Sequence, residues 1–221
     1  MRGEPIDVIT ISREYGAGGS ELAAALGARL GWPVLDDELV PRIAARLGIE
    51  RRVVESLDER PPGLMARFAA SFMVTPPEAP ILVGPHELPT ADAIAAACRA
   101  TILDAAKTPP VIIVGHGAQC LLASRPTALH LRVVAPLQDR LRRVCRRRGC
   151  DPHTAVADTR RMDDFRTRYI QRYHAHDVRD PLRYHLLINS GVIRITEAVD
   201  LVVSLVRARD AAASVAAGAA S

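Results

Sequence analysis

The segment ISREYGAGGSEL at residues 11–22 combines glycines, an arginine and a serine at the end of a short apolar run. A glycine-rich turn that opens a helix points several backbone N–H groups at one spot, and the helix dipole makes that spot positive. Both features favour phosphate oxygens. We therefore interpret the segment as a candidate phosphate-binding loop. Its expected contact residues are Gly16, Ala17, Gly18, Gly19 and Ser20.

The spacing within this loop matches part of a known phosphate-binding pattern, G-x-x-x-x-G-K-[ST]. On residues 13–20, the second glycine matches Gly18 and the hydroxyl matches Ser20. Arg13 stands at the first glycine, and Gly19 stands at the lysine. Taken alone, the match fits an ordinary strand-to-helix turn as well as it fits a nucleotide site.

Arg13 is the nearest candidate for the missing positive charge. The chain has a single lysine, Lys107, and it precedes a different predicted strand. A planar guanidinium suits phosphate oxygens, although it approaches them differently from an ammonium group. An alternative of equal weight is that Arg13 points outward or pairs with Glu14 or Glu21.

The hydroxyl of Ser20 has two interpretations. Beside a bound phosphate it could ligate Mg²⁺ or donate a hydrogen bond to a phosphate oxygen. The same hydroxyl at the same place would also serve as an ordinary helix N-cap. The sequence leaves both open.

Hydrophobic periodicity predicts the elements that must position this loop. Strands are expected at residues 8–11, 34–35, 111–114, 129–134 and 186–188, and helices from Ser20, around 40–47, after a Thr90 cap, and at 139–148, 153–172 and 195–209. Strands that alternate with helices predict an α/β domain with a mainly parallel sheet. Such sheets bind ligands at the carboxyl ends of their strands, which is where the loop lies.

Composition limits the class of protein. With 221 residues, 48% of them hydrophobic, the chain can build one domain over 1–221 with a substantial core. No apolar run reaches the roughly 18 residues of a membrane span, and residues 1–7 lack the features of a secretory signal. We therefore expect a cytoplasmic protein with no membrane partner. The proline-rich segment 57–90 is expected to be irregular, and the tail 211–221 to fray.

Four segments in order resemble the cytidylate kinase-like family, P-loop relatives of the nucleoside monophosphate kinases. They are ITISREYGAGGSELAAALGARLGWPVLDDELV at 9–40, VIIVGHGAQCLL at 111–122, LHLRVVAPLQDRLRRV at 129–144 and YHLLINSGVIRITEAVDLVV at 184–203. Ordered matches over most of the chain are far more specific than the loop alone.

The resemblance implies a P-loop kinase fold, in which a parallel five-stranded sheet is flanked by helices and carries a helical lid at about residues 150–180. It also implies ATP and Mg²⁺, with transfer of the ATP γ-phosphoryl group to a nucleoside monophosphate such as CMP or a related acceptor. Cytidylate kinases carry the loop lysine that is Gly19 here. The alternative is therefore a nucleotide-binding or regulatory module without turnover.

The same resemblance suggests which residues contact the acceptor. Asp36 and Asp37 follow the second strand, where one of them could orient the acceptor or hold metal-bound water. Capping of the helix that begins near Glu38 is at least as well supported. His116 lies where cytidylate kinases carry an arginine that contacts the acceptor phosphate, a role that a histidine can fill when it is protonated.

The lid helix carries a pattern similar to the D-x-x-R-x-x-Y of this family. Asp163, Arg166, Tyr169 and Tyr173 are spaced by three, three and four residues, which puts them on one helical face. The resemblance implies that arginines of this helix neutralise phosphate charge when the lid closes. The residues expected to act in catalysis are Arg13, Arg166 and Arg172. A solvated basic face is the alternative.

Two further patterns predict other partners, and neither is favoured. The basic run RLRRVCRRRG at 140–149 would suit nucleic acid, but no nucleic-acid motif or aromatic stacking platform accompanies it. Cys145, Cys150 and His153 form C-x4-C-x2-H, which lacks a convincing fourth zinc ligand, so ordinary thiols are preferred. A small-molecule nucleotide is therefore the expected partner.

Overall fold

The structure, a computed structural model, describes residues 4–36, 38–48 and 90–219, with side chains to residue 215. Asp37, the helical periodicity near Val53 and nearly all of the proline-rich segment 57–90 lie outside the described residues. The sequence-based expectations for these parts therefore stay predictions.

A five-stranded parallel sheet forms the centre of the fold. Its strands are β1 (Val8–Arg13), β2 (Val34–Leu35), β3 (Val111–Val114), β4 (Ala128–Val134) and β5 (Leu186–Asn189), and their order is β2-β3-β1-β4-β5. All pairings are parallel; for example, Ile9 lies opposite Ile112 on one side and Leu129 on the other. The predicted parallel sheet and all five predicted strands are confirmed.

Helices alternate with the strands along the chain. They are α1 (Gly19–Leu30), α2 (Leu39–Arg46), α3 (Ala91–Ala105), α4 (Ala118–Leu121), α5 (Leu137–Arg148), α6 (Pro152–His174) and α7 (Ile195–Ala219), with a 3₁₀ turn at Pro181–Arg183. The predicted cap of α3 is confirmed, because the Thr90 hydroxyl accepts a hydrogen bond from the Ala93 N–H at 3.2 Å. Helix α7 continues beyond the predicted end at Arg209 to Ala219, into the tail that was expected to fray.

One face of the sheet packs against α1 and α7. Ile9 and Ile11 of β1 are fully buried with Leu22 and Leu26 of α1 and with Val202 of α7. Aliphatic residues, many of them β-branched, occupy both faces of the buried strands. The strands therefore appear in the sequence as continuous apolar runs. This packing fixes the end of β1 against the start of α1, and so fixes the loop between them.

The chain divides into two compact units. The first comprises residues 1–36 and 102–221 and contains the sheet, α1 and helices α4 to α7. The second comprises residues 37–101; its described part holds α2 and most of α3. The single domain expected over 1–221 therefore stays a prediction. Over the described ranges, no helix combines the length and apolar character that a bilayer crossing requires.

Candidate functional site

The glycine-rich loop joins β1 to α1 through two left-handed residues, Gly16 (φ 78°) and Gly18 (φ 88°). A side chain at Gly16 would also meet the rest of the protein, since its Cβ would lie 2.8 Å from the Arg140 carbonyl oxygen. Gly18 is the N-cap of α1, so Ser20 lies within the first turn and does not cap the helix. The Ser20 side chain is exposed, and its role as a phosphate or Mg²⁺ contact stays a prediction.

The start of α1 presents backbone donors with no acceptor from the chain. In the helix, the Leu22 N–H bonds to the Gly18 carbonyl at 2.9 Å and so begins the regular pattern. The N–H groups of Gly18, Gly19 and Ser20 have no acceptor among residues 4–36, 38–48 and 90–219. The first N–H groups of any helix need an outside partner, and a phosphate supplies several oxygens at once.

Three side chains, those of Asp163, Arg140 and Ser190, hold the loop in this shape. The Asp163 carboxylate of α6 accepts from the Tyr15 N–H at 2.8 Å and from Arg140 Nη1 at 2.5 Å. Arg140 also donates to the carbonyls of Tyr15 (3.2 Å) and Ala135 (3.1 Å). On the far side of the loop, the Ser190 hydroxyl donates to the Ala17 carbonyl at 2.6 Å. These contacts tie the loop to α5, α6 and the end of β5.

Arg13 is held at the end of β1 by Asp36. Its side chain is 11% exposed and its Nη2 lies 3.2 Å from Asp36 Oδ1. Arg13 therefore does not point outward. Glu14 lies 3.5 Å from Arg140 instead. Asp36, expected either to cap a helix or to contact the acceptor, is in fact an ion-pair partner of the loop arginine.

Arg166 reaches the same place from α6. Its Nη1 donates to the Arg13 carbonyl at 3.0 Å, and its guanidinium carbon lies 5.8 Å from the centre of the Tyr15 ring. The pKa of Arg166 is lowered to about 9, chiefly by burial and secondly by the charge of Arg13. Arg166 therefore stays charged near neutral pH, although the folded protein disfavours that charge.

The lid pattern read from the sequence forms one contact face. Asp163 and Arg166 contact the loop, and the Tyr169 hydroxyl lies 3.5 Å from the His116 carbonyl. The Tyr173 ring packs beside Tyr169 at 5.2 Å between centres. Arg172 is exposed, with its guanidinium over the Tyr173 ring at 5.4 Å, so the structure does not bring it to the loop. Of the two helical arginines expected in the site, Arg166 is the one beside it.

His116 follows β3 in a turn of three successive left-handed residues, with φ values of 78°, 53° and 76° at Gly115, His116 and Gly117. Burial, followed by the charges of Arg13 and Arg166, lowers the pKa of His116 to about 3. The imidazole is therefore neutral at physiological pH. The expectation of a protonated histidine on the acceptor phosphate does not fit these surroundings.

We predict that the His116→Asn variant retains the expected phosphoryl-transfer activity. Neutral His116 adds no positive charge to the site, and asparagine tolerates the left-handed backbone. The folded pKa lies below the unfolded value of 6.5, so neutral His116 stabilises the fold above pH 6.5. That contribution is lost as the pH falls towards 3. Thermal melts should therefore be less acid-sensitive in the variant. A loss of turnover of about tenfold or more at pH 7.5 would contradict this prediction.

Sequence reasoning missed two of the residues that shape the loop. The sequence identifies Arg140 only as part of a basic run and does not place Ser190 at the loop. All four cysteines are free thiols. Within the described part of the chain, no group of three or more His, Cys, Asp or Glu residues could hold a metal ion.

A parallel sheet in the order β2-β3-β1-β4-β5, with a glycine-rich loop between its central strand and the following helix, defines a P-loop kinase fold. Its site lies at the carboxyl ends of the strands. Residues 8–192 match the model of the cytidylate kinase-like family. The chain belongs to this family, as the ordered segments of the sequence predicted.

Individual proteins resemble this chain in sequence or in fold. A protein of Aeropyrum pernix named cytidylate kinase is 31% identical over 107 residues, which cover 48% of this chain and 62% of that protein. The match therefore spans less than two thirds of that relative. An uncharacterized protein of Eubacterium ventriosum has a similar structure, with 20% identity, a TM-score of 0.64, and coverage of 90% of this chain and 98% of that one. A shikimate kinase of Bacteroides thetaiotaomicron follows at 15% identity, a TM-score of 0.53, and coverage of 90% and 98%. At these identities, both structures support the fold alone.

Proposed function

We propose that this protein is an ATP-dependent phosphotransferase that transfers the γ-phosphoryl group to a nucleoside monophosphate such as CMP. One observation carries the proposal: the N–H groups of Gly18, Gly19 and Ser20, which begin α1, have no acceptor among the described residues, and the guanidinium of Arg166 contacts the main chain of Arg13 at the start of the same loop. Backbone donors and arginines are the groups that compensate charge on phosphate oxygens during phosphoryl transfer. The choice of acceptor follows the relative named cytidylate kinase.

The loop N–H groups and Arg166 have different roles in this reaction. The N–H groups of residues 18–20 bind and orient the donor phosphates, and the dipole of α1 favours their charge. Arg166 supplies positive charge from α6, where it already contacts the main chain of Arg13. Phosphoryl transfer needs alignment and charge compensation rather than covalent chemistry from the protein, and these residues provide both.

The residues present fit ATP with Mg²⁺. The exposed hydroxyl of Ser20 in the first turn of α1 is a hard oxygen ligand, and Mg²⁺ in such sites takes most of its ligands from phosphates and water. When bound, the ion neutralises charge on the phosphates. A cytoplasmic location for such an enzyme remains part of the proposal.

A coupled assay for ADP production across the common nucleoside monophosphates tests this function. We expect turnover with ATP and Mg²⁺ for one or a few acceptors, and loss of MgATP binding when Gly18 is replaced by alanine, since alanine is strained at φ 88°. An Ala substitution at Gly31 is the matched control. Gly31 is also left-handed (φ 71°) but lies at the other end of α1, with nothing near its Cβ. Absence of turnover with every acceptor would refute the proposal.

A second candidate is a nucleotide-binding module without turnover. The observation that favours it is the ion pair of Arg13 with Asp36, because a carboxylate at 3.2 Å offsets the charge that would replace the loop lysine. This candidate predicts that MgATP raises the melting temperature by mass action while no acceptor is phosphorylated. The two functions are therefore separated by one assay and one melting curve.

A further inference from the structure

Gly19 lies against the base of the Arg13 side chain. A Cβ added at Gly19 would be 2.6 Å from the Arg13 Cβ and 2.8 Å from its Cγ. These atoms lie close to the main chain of β1, which is fixed by pairing with β3 and β4, so they cannot turn aside as a side-chain tip could. While Arg13 is present, no side chain fits at position 19.

The Arg13 side chain then continues across the end of the sheet. Its Nη1 lies 1.8 Å from the position that a Cβ at Gly115 would take, and its Nη2 bonds to Asp36. The guanidinium therefore lies over the main chain at the end of β3, beside the residue that follows β2. From there it acts on its neighbours, because its charge lowers the pKa of both His116 and Arg166.

We propose that Arg13 and Gly19 are a reciprocal exchange, in which the cation of the loop has moved from the start of α1 to the end of β1. The common pattern has glycine at the first position and lysine at the seventh. Here arginine occupies the first position and only glycine fits at the seventh. The absence of the lysine is thus a consequence of Arg13, and the loop keeps one positive charge.

The exchange also moves the charge. The guanidinium lies at the ends of β2 and β3, between Asp36 and Gly115, rather than along the N–H groups of residues 18–20. This part of the inference rests on the proposed function: Arg13 would contact the group being transferred and the acceptor phosphate. Replacing it should therefore change kcat and the acceptor KM more than the affinity for MgATP.

A stability cycle tests the steric half of the exchange without any assay of activity. Gly19→Ala should lower the melting temperature by about 3 to 8 °C in the unmodified protein, because the added methyl group overpacks against Arg13. In the Arg13→Gly background the same change should raise the melting temperature, since alanine favours a helix and the obstacle is gone. Equal effects of Gly19→Ala in both backgrounds would overturn the exchange.

A charge swap tests the functional half. Arg13→Gly should reduce turnover by about 100-fold or more, as expected for loss of a phosphate-neutralising cation. The double variant Arg13→Gly, Gly19→Lys should recover at least about tenfold of that loss, whereas Gly19→Lys alone should be unstable. A double variant no more active than Arg13→Gly would overturn the role of the arginine. If the unmodified protein phosphorylates no acceptor, the proposed function fails, and the stability cycle alone decides the exchange.

Discussion

Replacing Arg166 by methionine is expected to reduce turnover by about 10³-fold or more and to leave the melting temperature unchanged or higher. The two effects have one cause. Burial and the neighbouring charge of Arg13 lower the pKa of Arg166 to about 9, so the folded protein holds this charge unfavourably. Methionine keeps much of the apolar stem and removes the charge, which relieves that cost. Phosphate oxygens would compensate the same charge during the reaction.

Arg168→Met is the matched control. Arg168 lies two residues along the same helix and is exposed, so its loss should change neither turnover nor stability by a measurable amount. Arg166→Lys adds a second test, because it keeps the charge and loses the planar fork that bonds to the Arg13 carbonyl. We expect Lys to restore only a small part of the activity. Unchanged turnover in Arg166→Met would mean that the guanidinium of Arg166 takes no part in phosphoryl transfer.

The sheet could be predicted from the sequence because each strand leaves a local signal. Val111–Val114 is a continuous β-branched run that ends at a glycine, and buried parallel strands read in this way. The loop could be predicted for the same reason, because its glycines and its serine are neighbours in the sequence. The order of the strands rested on the family resemblance, because periodicity within a segment says nothing about which strands are neighbours.

The partner of Arg13 could not be predicted. The sequence offered Glu14 and Glu21, which are near it in the chain, whereas the ion pair is with Asp36 at the end of a strand two positions away in the sheet. That reach depends on Gly115, over which the guanidinium passes. Sequence spacing cannot reveal a contact that requires a glycine, Gly115, directly after another strand.

The surroundings of His116 could not be predicted for a related reason. An isolated histidine titrates near neutral pH, so a cationic role was a fair expectation from its residue type alone. Its surroundings include burial and two guanidiniums from other parts of the chain, and all three lower its pKa. The role of Arg140 was also invisible, because in the sequence it is one of several arginines in a basic run.

Loss of Asp163 should lower the stability of the fold substantially. Its carboxylate joins the Tyr15 N–H to the guanidinium of Arg140, which is 11% exposed, and so links α6 to the loop and to α5. Asp163→Ala leaves the nearly buried cation of Arg140 with Glu14, at 3.5 Å, as its remaining carboxylate neighbour among the described residues, and it leaves the Tyr15 N–H without its acceptor. Breaking a buried pair by removing one partner costs about 3 to 5 kcal/mol, and we expect about 2 to 4 kcal/mol for this partly buried one.

Chemical denaturation of Asp163→Ala, compared with Asp164→Ala, measures this cost. Asp164 is the next residue on the same helix and is exposed, so its loss removes an equal charge without touching the loop. The double variant Arg140→Leu, Asp163→Leu should be destabilised by less than the sum of the two single variants, because no buried charge is left unpaired. Additive losses would mean that the pair does not couple α6 to the loop. Coupled losses, together with weaker MgATP binding in Asp163→Ala, would mean that the contacts that stabilise the fold also hold the loop N–H groups in position for phosphate.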